Sequence, residues 1–188
     1  MKKKSINYTF IPILLALVLL IASLFIPWLK INFITKYSYT PFKILKELFQ
    51  NNTPDLQIKF NLLYLMKSFT YSYFALIFSI VIFLSSITIL LASFILKKQK
   101  SNFVLIAGIL AIISGVLWIY SIESFKVYST QNAISSGGII GEEFKGKESI
   151  IINSIIKISL GNKLVIIAGT ILILAYLWKP KKELINNF

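Results

Sequence analysis

The stretch Thr70–Leu96, TYSYFALIFSIVIFLSSITILLASFIL, runs for 27 residues without a charged side chain. As an α-helix it rises about 40 Å, more than the roughly 30 Å hydrocarbon core of a bilayer. This predicts a membrane-crossing helix that tilts or projects from the bilayer. Three further apolar runs are long enough to cross: about Phe10–Leu29, Phe103–Ser121 and about Leu160–Trp178. None has a charge at its centre, and Lys163 lies near enough to the start of the last for its side chain to snorkel to the interface. The expected fold class is an all-α membrane protein, a four-transmembrane-helix bundle forming one domain over residues 1–188.

Composition agrees with a non-aqueous setting. Of 188 residues 56% are hydrophobic and 14% charged, against about 25% charged in a typical soluble domain. Mean hydropathy is +0.78. All 20 basic residues are lysine, and the chain has no histidine and no cysteine. Disulfides, cysteine nucleophiles, histidine bases and the usual ligands of zinc or haem iron are thereby excluded. No cofactor and no metal are expected. The net charge of +13 would suit nucleic acid, but beside these apolar runs it reads as topology and attraction to anionic lipid head groups on the cytoplasmic side. No nucleic-acid partner is expected.

Orientation follows from lysine density beside the spans. MKKK precedes the first span, KKQK (Lys97–Lys100) joins the second to the third, and KPKKE (Lys179–Glu183) follows the fourth. The two long loops, about 31–69 and 122–159, hold Glu47, Asp55, Glu123, Glu142, Glu143 and Glu148. Both termini are therefore expected in the cytoplasm and both long loops outside, with the protein in the cell membrane.

The junction FIPWLKINF (Phe25–Phe33) marks where the first span ends. A basic start followed by an apolar run has the outline of a signal peptide, yet the run exceeds the usual apolar region of about 7–15 residues and no small-x-small cleavage site follows. Pro27 disfavours helical geometry at Ile26 and has no amide donor. Trp28 then stands where indole rings favour the head-group level. Trp118 with Tyr120 is expected at the same outer interface, and Tyr176 with Trp178 at the inner one, all five as interfacial anchors.

The loops read as folded. INFITKYSYT (Ile31–Thr40) alternates like a strand. Thr40-Pro41 is a helix-start signal, and Phe42, Ile44, Leu45, Leu48 and Phe49 recur at helical spacing. DLQIKF (Asp55–Phe60) is a second strand candidate, and Asn51-Asn52-Thr53 is a glycosylation sequon on the outer side, followed by Pro54. SFKVYST (Ser124–Thr130) is expected as a strand before a glycine-rich tip with Gly137, Gly138, Gly141 and Gly146. ESIIINSIIKISL (Glu148–Leu160) is expected as a strand or an interfacial helix. Together the loops predict a small extracellular cap, a short antiparallel sheet with one helix.

The Pro-Trp that closes the first span before a strand-like loop, and the opening of the fourth as GNKLVIIAGTILIL, resemble features of prokaryotic four-span membrane proteins. The order of a long first loop, a short inner turn and a second outer loop is similar to the claudin arrangement. The chain lacks the claudin Gly-Leu-Trp signature and the paired cysteines of that first loop. The resemblance implies an architecture and not a junction-forming or pore-lining role.

Helices in lipid associate through close packing and polar contacts. Ala107, Ala111 and Gly115 offer a small-residue packing face at four-residue spacing, with Ser79, Ser85, Ser86, Thr88 and Ser93, or Ala168 and Gly169, as partners. Of the possible functions, an enzyme is disfavoured. The acids lie in loops and tail without a metal-binding or acid–base spacing, and GGIIGEEFKGK lacks the phosphate-loop pattern. The alternative is a small transporter or an oligomeric channel component. Ionisable groups inside spans usually mark such a path, and none stands at the centre of these, which leaves a hydrophobically gated or oligomeric pore. The leading expectation is a non-catalytic multi-pass protein, an accessory subunit or scaffold. It would work through protein–protein contacts in the membrane and at its extracellular cap, with a membrane-protein partner or further copies of itself.

Overall fold

The computed structural model describes residues 10–32, 36–49, 70–96, 102–135 and 148–178. In chain order these form α1 (Phe10–Ser23), β1 (Leu29–Asn32), β2 (Lys36–Tyr39), α2 (Pro41–Phe49), α3 (Thr70–Ile95), α4 (Asn102–Ser135), α5 (Glu148–Ile155), β3 (Ile156–Ile158) and α6 (Leu160–Leu177). Three helices, α3, α4 and α6, are long and apolar enough to cross a membrane, while α1 is a shorter apolar helix.

A seven-residue repeat sets how α3 and α4 meet. Ser72, Ser79, Ser86 and Ser93 follow one another at that interval on α3, and all four are fully buried. Ala107, Ser114 and Ser121 repeat the spacing on α4, also buried. The Ser121 hydroxyl donates to the Ser72 carbonyl (2.6 Å), Ser114 to that of Ser79 (2.9 Å), and Ser86 to that of Ala107 (2.8 Å). Each step of seven up α3 is a step of seven down α4, so the pair is antiparallel in one fixed register. A strict seven-residue repeat winds helices left-handedly at a shallow angle. Serine suits this position because it is small; the Ser86, Ser114 and Ser121 hydroxyls bond the facing backbone, while those of Ser79 and Ser93 bond Leu76 and Leu90 of their own helix.

On its other side α4 packs against α6, which in turn packs along α1; α1 and α3 touch only sparsely. A Cβ on Gly169 would stand 2.8 Å from the Gly108 carbonyl oxygen, and one on Gly108 would stand 3.0 Å from that of Gly169. Only glycine lets the α4 and α6 backbones come this close. At the far end of the bundle the Phe10 ring meets Phe94 edge-on, with centroids 5.8 Å apart, and the Tyr176 hydroxyl donates to Asn102 Oδ1 (3.1 Å). Adjacent helices thus alternate in direction, and the start of α1 lies at the same end as the finish of α6.

Several expectations change at the opposite end. The first span does not continue as a helix to Leu29. It stops at Ser23, where the amides of Leu24 and Phe25 bond back three residues to Ile21 and Ala22 (both 3.1 Å). The Ser23 hydroxyl turns back onto Leu20 (2.7 Å) and its carbonyl accepts the Trp28 indole N–H (2.8 Å). This local bonding, four residues ahead of Pro27, ends the helix, and Leu29 opens β1.

INFITKYSYT is not one strand but parts of two. β1 lies between β2 and β3, antiparallel to both, with Leu29 opposite Tyr39 and Ile158. Leu29, Ile31, Tyr39 and Ile156 turn inward, while Lys30, Ser38 and Lys157 face out. The Thr40-Pro41 signal starts α2: the Thr40 hydroxyl oxygen accepts the Lys43 amide (3.1 Å) and Ile44 is buried beneath.

SFKVYST is helical. α4 continues for 34 residues, about 51 Å, well past the expected end at Ser121. Burial of Trp118, Ile122 and Phe125 at helical spacing outweighs the β-propensity of Val127, Tyr128 and Thr130. The extension also carries a Lys126–Glu123 ion pair (2.7 Å). ESIIINSIIKISL is helix first and strand after, α5 and then β3, and α5 packs against α4.

Candidate functional site

Sheet and bundle join at Trp28. Its amide donates to the Tyr39 carbonyl (2.9 Å) and its carbonyl accepts from Ser159 (2.8 Å), so it extends the central strand by one residue in both ladders. The indole points the other way, into the helices. Its ring lies 4.9 Å from those of Phe83 on α3 and Trp118 on α4, edge-on to both. One residue therefore touches the sheet through its backbone and four helices through its side chain, counting Ser23 of α1 and Gly161 of α6. Edge-on aromatic pairs contribute about 0.5–1.5 kcal/mol each beyond the area they bury.

Gly161 closes the joint from α6. Its amide donates to the Pro27 carbonyl (3.0 Å), and a Cβ there would lie 2.4 Å from Trp28 Cδ1 and 2.5 Å from the Ile26 carbonyl oxygen. Asn162 beside it is fully buried and donates through Nδ2 to the Gly115 carbonyl on α4 (3.3 Å). Three buried polar atoms at this end have no hydrogen-bond partner among the described residues: Trp118 Nε1, Asn162 Oδ1 and Ser72 Oγ.

Two of the expected anchors are thereby corrected. Trp28 and Trp118 do not reach head groups, because both side chains are fully enclosed by protein. The turn at Ser23 folds Trp28 back onto the helices, and Trp118 lies on the α4 face turned toward it. Tyr120 on the opposite face is exposed, as is Trp178 at the end of α6 (81%), while Tyr176 is half-buried and bonds Asn102. Ala107, Ala111 and Gly115 are all buried but do not act as one face. Ala107 meets the serine row of α3, whereas Ala111 and Gly115 turn to α6, Gly115 beneath Ile166. Ser85 and Thr88 bond carbonyls of their own helix (both 2.9 Å) rather than a neighbour. Asn51, the DLQIKF segment, the glycine-rich tip, Glu142 and Glu143 lie outside the described residues.

The buried polar side chains are seven serines and Asn162, with no lysine or glutamate among them in the described residues. Nor do three Asp or Glu side chains come together there as a metal site would require. This arrangement of small side chains and hydroxyls holds elements in register. The sequence reading missed Gly108, Gly161 and Asn162. The signal for Gly108 and Gly115 is their seven-residue spacing; Gly161 and Asn162 gave none, since their partners lie far off in sequence.

The fold defines a helical membrane protein in which a three-stranded sheet is built onto one end of an antiparallel bundle. No family model, curated protein or solved structure matches the chain, so its function is read from its own residues.

Proposed function

We propose that the chain crosses the cell membrane four times and serves as a non-catalytic accessory subunit or scaffold for other membrane proteins. The fourth crossing is α1. From Phe10, level with Phe94 near the end of α3, to Pro27, bonded to Gly161 at the start of α6, it runs alongside α6. The 18 residues of α6 rise about 27 Å, close to a hydrocarbon thickness. The lysine distribution then puts both termini in the cytoplasm and the sheet, α2, α5 and the end of α4 outside.

The observation that carries the functional reading is the interior: leucine and isoleucine side chains, small residues, serines and interlocked rings fill it, without a buried lysine or glutamate among the described residues. Transport paths usually carry ionisable groups at such depth, so the channel alternative draws less support. The surface offers more. The 34-residue α4 outruns any bilayer, and Val127 on its extension and Ile150 on the neighbouring α5 expose apolar side chains (58% and 67%). Such side chains on an ordered projection suit protein contacts.

Native extraction in mild detergent, with mass determination of the intact particle, tests this. A partner at fixed stoichiometry is the expected result, and further copies of the chain alone shift the reading to a self-assembling scaffold. A lone monomer contradicts it.

A further inference from the structure

Phe25 and Phe42 are both strongly exposed (67% and 58%), yet their rings lie together, centroids 6.3 Å apart. Phe25 belongs to an apolar stripe that climbs the outside of α1 through Ile11, Leu14, Val18 and Ile21, all exposed. Phe42 extends that stripe onto α2. The α2 helix buries Pro41 and Ile44 against the rest of the protein and turns Lys43 and Lys46 outward, beyond Phe42 around the same helix. The Lys43 ammonium sits over the Tyr39 ring (4.8 Å). Nearby, the outward face of the sheet sets Lys30 opposite Lys157, a pairing of like charges that costs stability unless an anion lies between or beside them.

We propose that α2 is an interfacial anchor, lying along the bilayer surface with Phe42 and Phe25 in the acyl boundary and Lys43 and Lys46 at lipid phosphates. Its occupant is the phospholipid leaflet itself. Phe42 continues the stripe that α1 turns toward lipid, and the adjoining lysines complement anionic head groups. Amphipathic helices of this pattern bury their apolar side about 5–10 Å into the head-group and acyl boundary. The consequence is that the sheet end is held against the membrane plane rather than standing clear of it. Trp28, which ties that sheet to four helices, would then be set at a fixed depth.

The absence of cysteine makes the test direct. Phe42→Cys, Phe25→Cys, Lys46→Cys and Val18→Cys, each in the full chain, are spin-labelled and reconstituted into phosphatidylcholine vesicles containing one quarter phosphatidylglycerol. Accessibility to oxygen and to a water-soluble nickel complex reads depth. The labels at 42 and 25 are expected to favour oxygen at about 5–10 Å below the phosphates, and the label at 46 to favour nickel. The second position keeps the test open if Phe42→Cys fails to fold. A label at 42 as open to nickel as the one at 46 overturns the anchor. Exclusion of both reagents at 42, with or without spin–spin broadening, overturns it in favour of protein on that face. The label at 18 separates the failures: hydrocarbon there with water at 42 removes only the anchor, and water at both removes the membrane reading as well.

Discussion

Replacing Gly161 by alanine should be among the most damaging single-methyl changes this chain can undergo. The new Cβ would lie 2.4 Å from Trp28 Cδ1, 2.5 Å from the Ile26 oxygen and 2.8 Å from the Pro27 oxygen, where ordinary contact begins at 3.4 Å. About 1 Å must therefore open on the Trp28 side. The obstacles are two backbone oxygens and a fully buried ring, none of them a flexible chain end. The same backbone is tied by Gly161 N–H to Pro27 (3.0 Å) and Ser159 N–H to Trp28 (2.8 Å), so moving it stretches both bonds. Overpacking costs about 1–3 kcal/mol and a weakened hydrogen bond up to about 1 kcal/mol, together about 3 kcal/mol. At about 2–4 °C per kcal/mol for a chain of this length, the midpoint should fall by about 6–12 °C. Thermal unfolding in detergent, followed by near-ultraviolet circular dichroism, measures it. Leu160→Ala, one residue away and 57% exposed, is the control and should shift the midpoint far less. A Gly161→Ala protein melting within about 2 °C of the parent would refute the packing derived for the joint.

Other substitutions separate the bonds from the volumes around them. Ser86→Ala, Ser114→Ala and Ser121→Ala combined should cost about 2 kcal/mol, from about 0.6 kcal/mol per interhelical bond, whereas Ser85→Ala with Thr88→Ala should cost less than about 0.5 kcal/mol; detergent-induced unfolding compares the two sets. Trp28→Phe should destabilise more than Trp118→Phe by about 1–2 kcal/mol, because the first removes an indole hydrogen bond and the second an unbonded indole N–H; equal losses in the same assay would count against the hydrogen-bond assignment. Trp178→Phe should abolish most acrylamide quenching and move the emission to shorter wavelength, since the remaining two indoles are fully buried.

The positions of the long helices were legible because a bilayer imposes a length, and uncharged runs such as Thr70–Leu96 meet it. The Thr40-Pro41 start was legible because capping is local chemistry. What escaped depended on partners distant in sequence. SFKVYST has the side chains of a strand, yet Ile122 and Phe125 find a helical neighbour to bury against, and that decides its form. Trp28 carries every mark of an interfacial anchor until the chain turns at Ser23 and folds the indole inward. The serines at 72, 79, 86 and 93 stand at seven-residue spacing, the period that registers α3 against α4, and a four-residue spacing of small residues does not reveal it. Gly161 has meaning only once Pro27 and Trp28 are known to lie on top of it.

The fourfold crossing underlies the functional reading, and single cysteines at Ser5, Asn153 and Asn187 test it in a chain that has none of its own. Intact cells are treated with a membrane-impermeant maleimide before and after permeabilisation. The account predicts that the exposed position 153 on α5 reacts at once and that 5 and 187 react only after permeabilisation. Reaction of 5 and 153 from the same side would mean that α1 does not cross, and would contradict it.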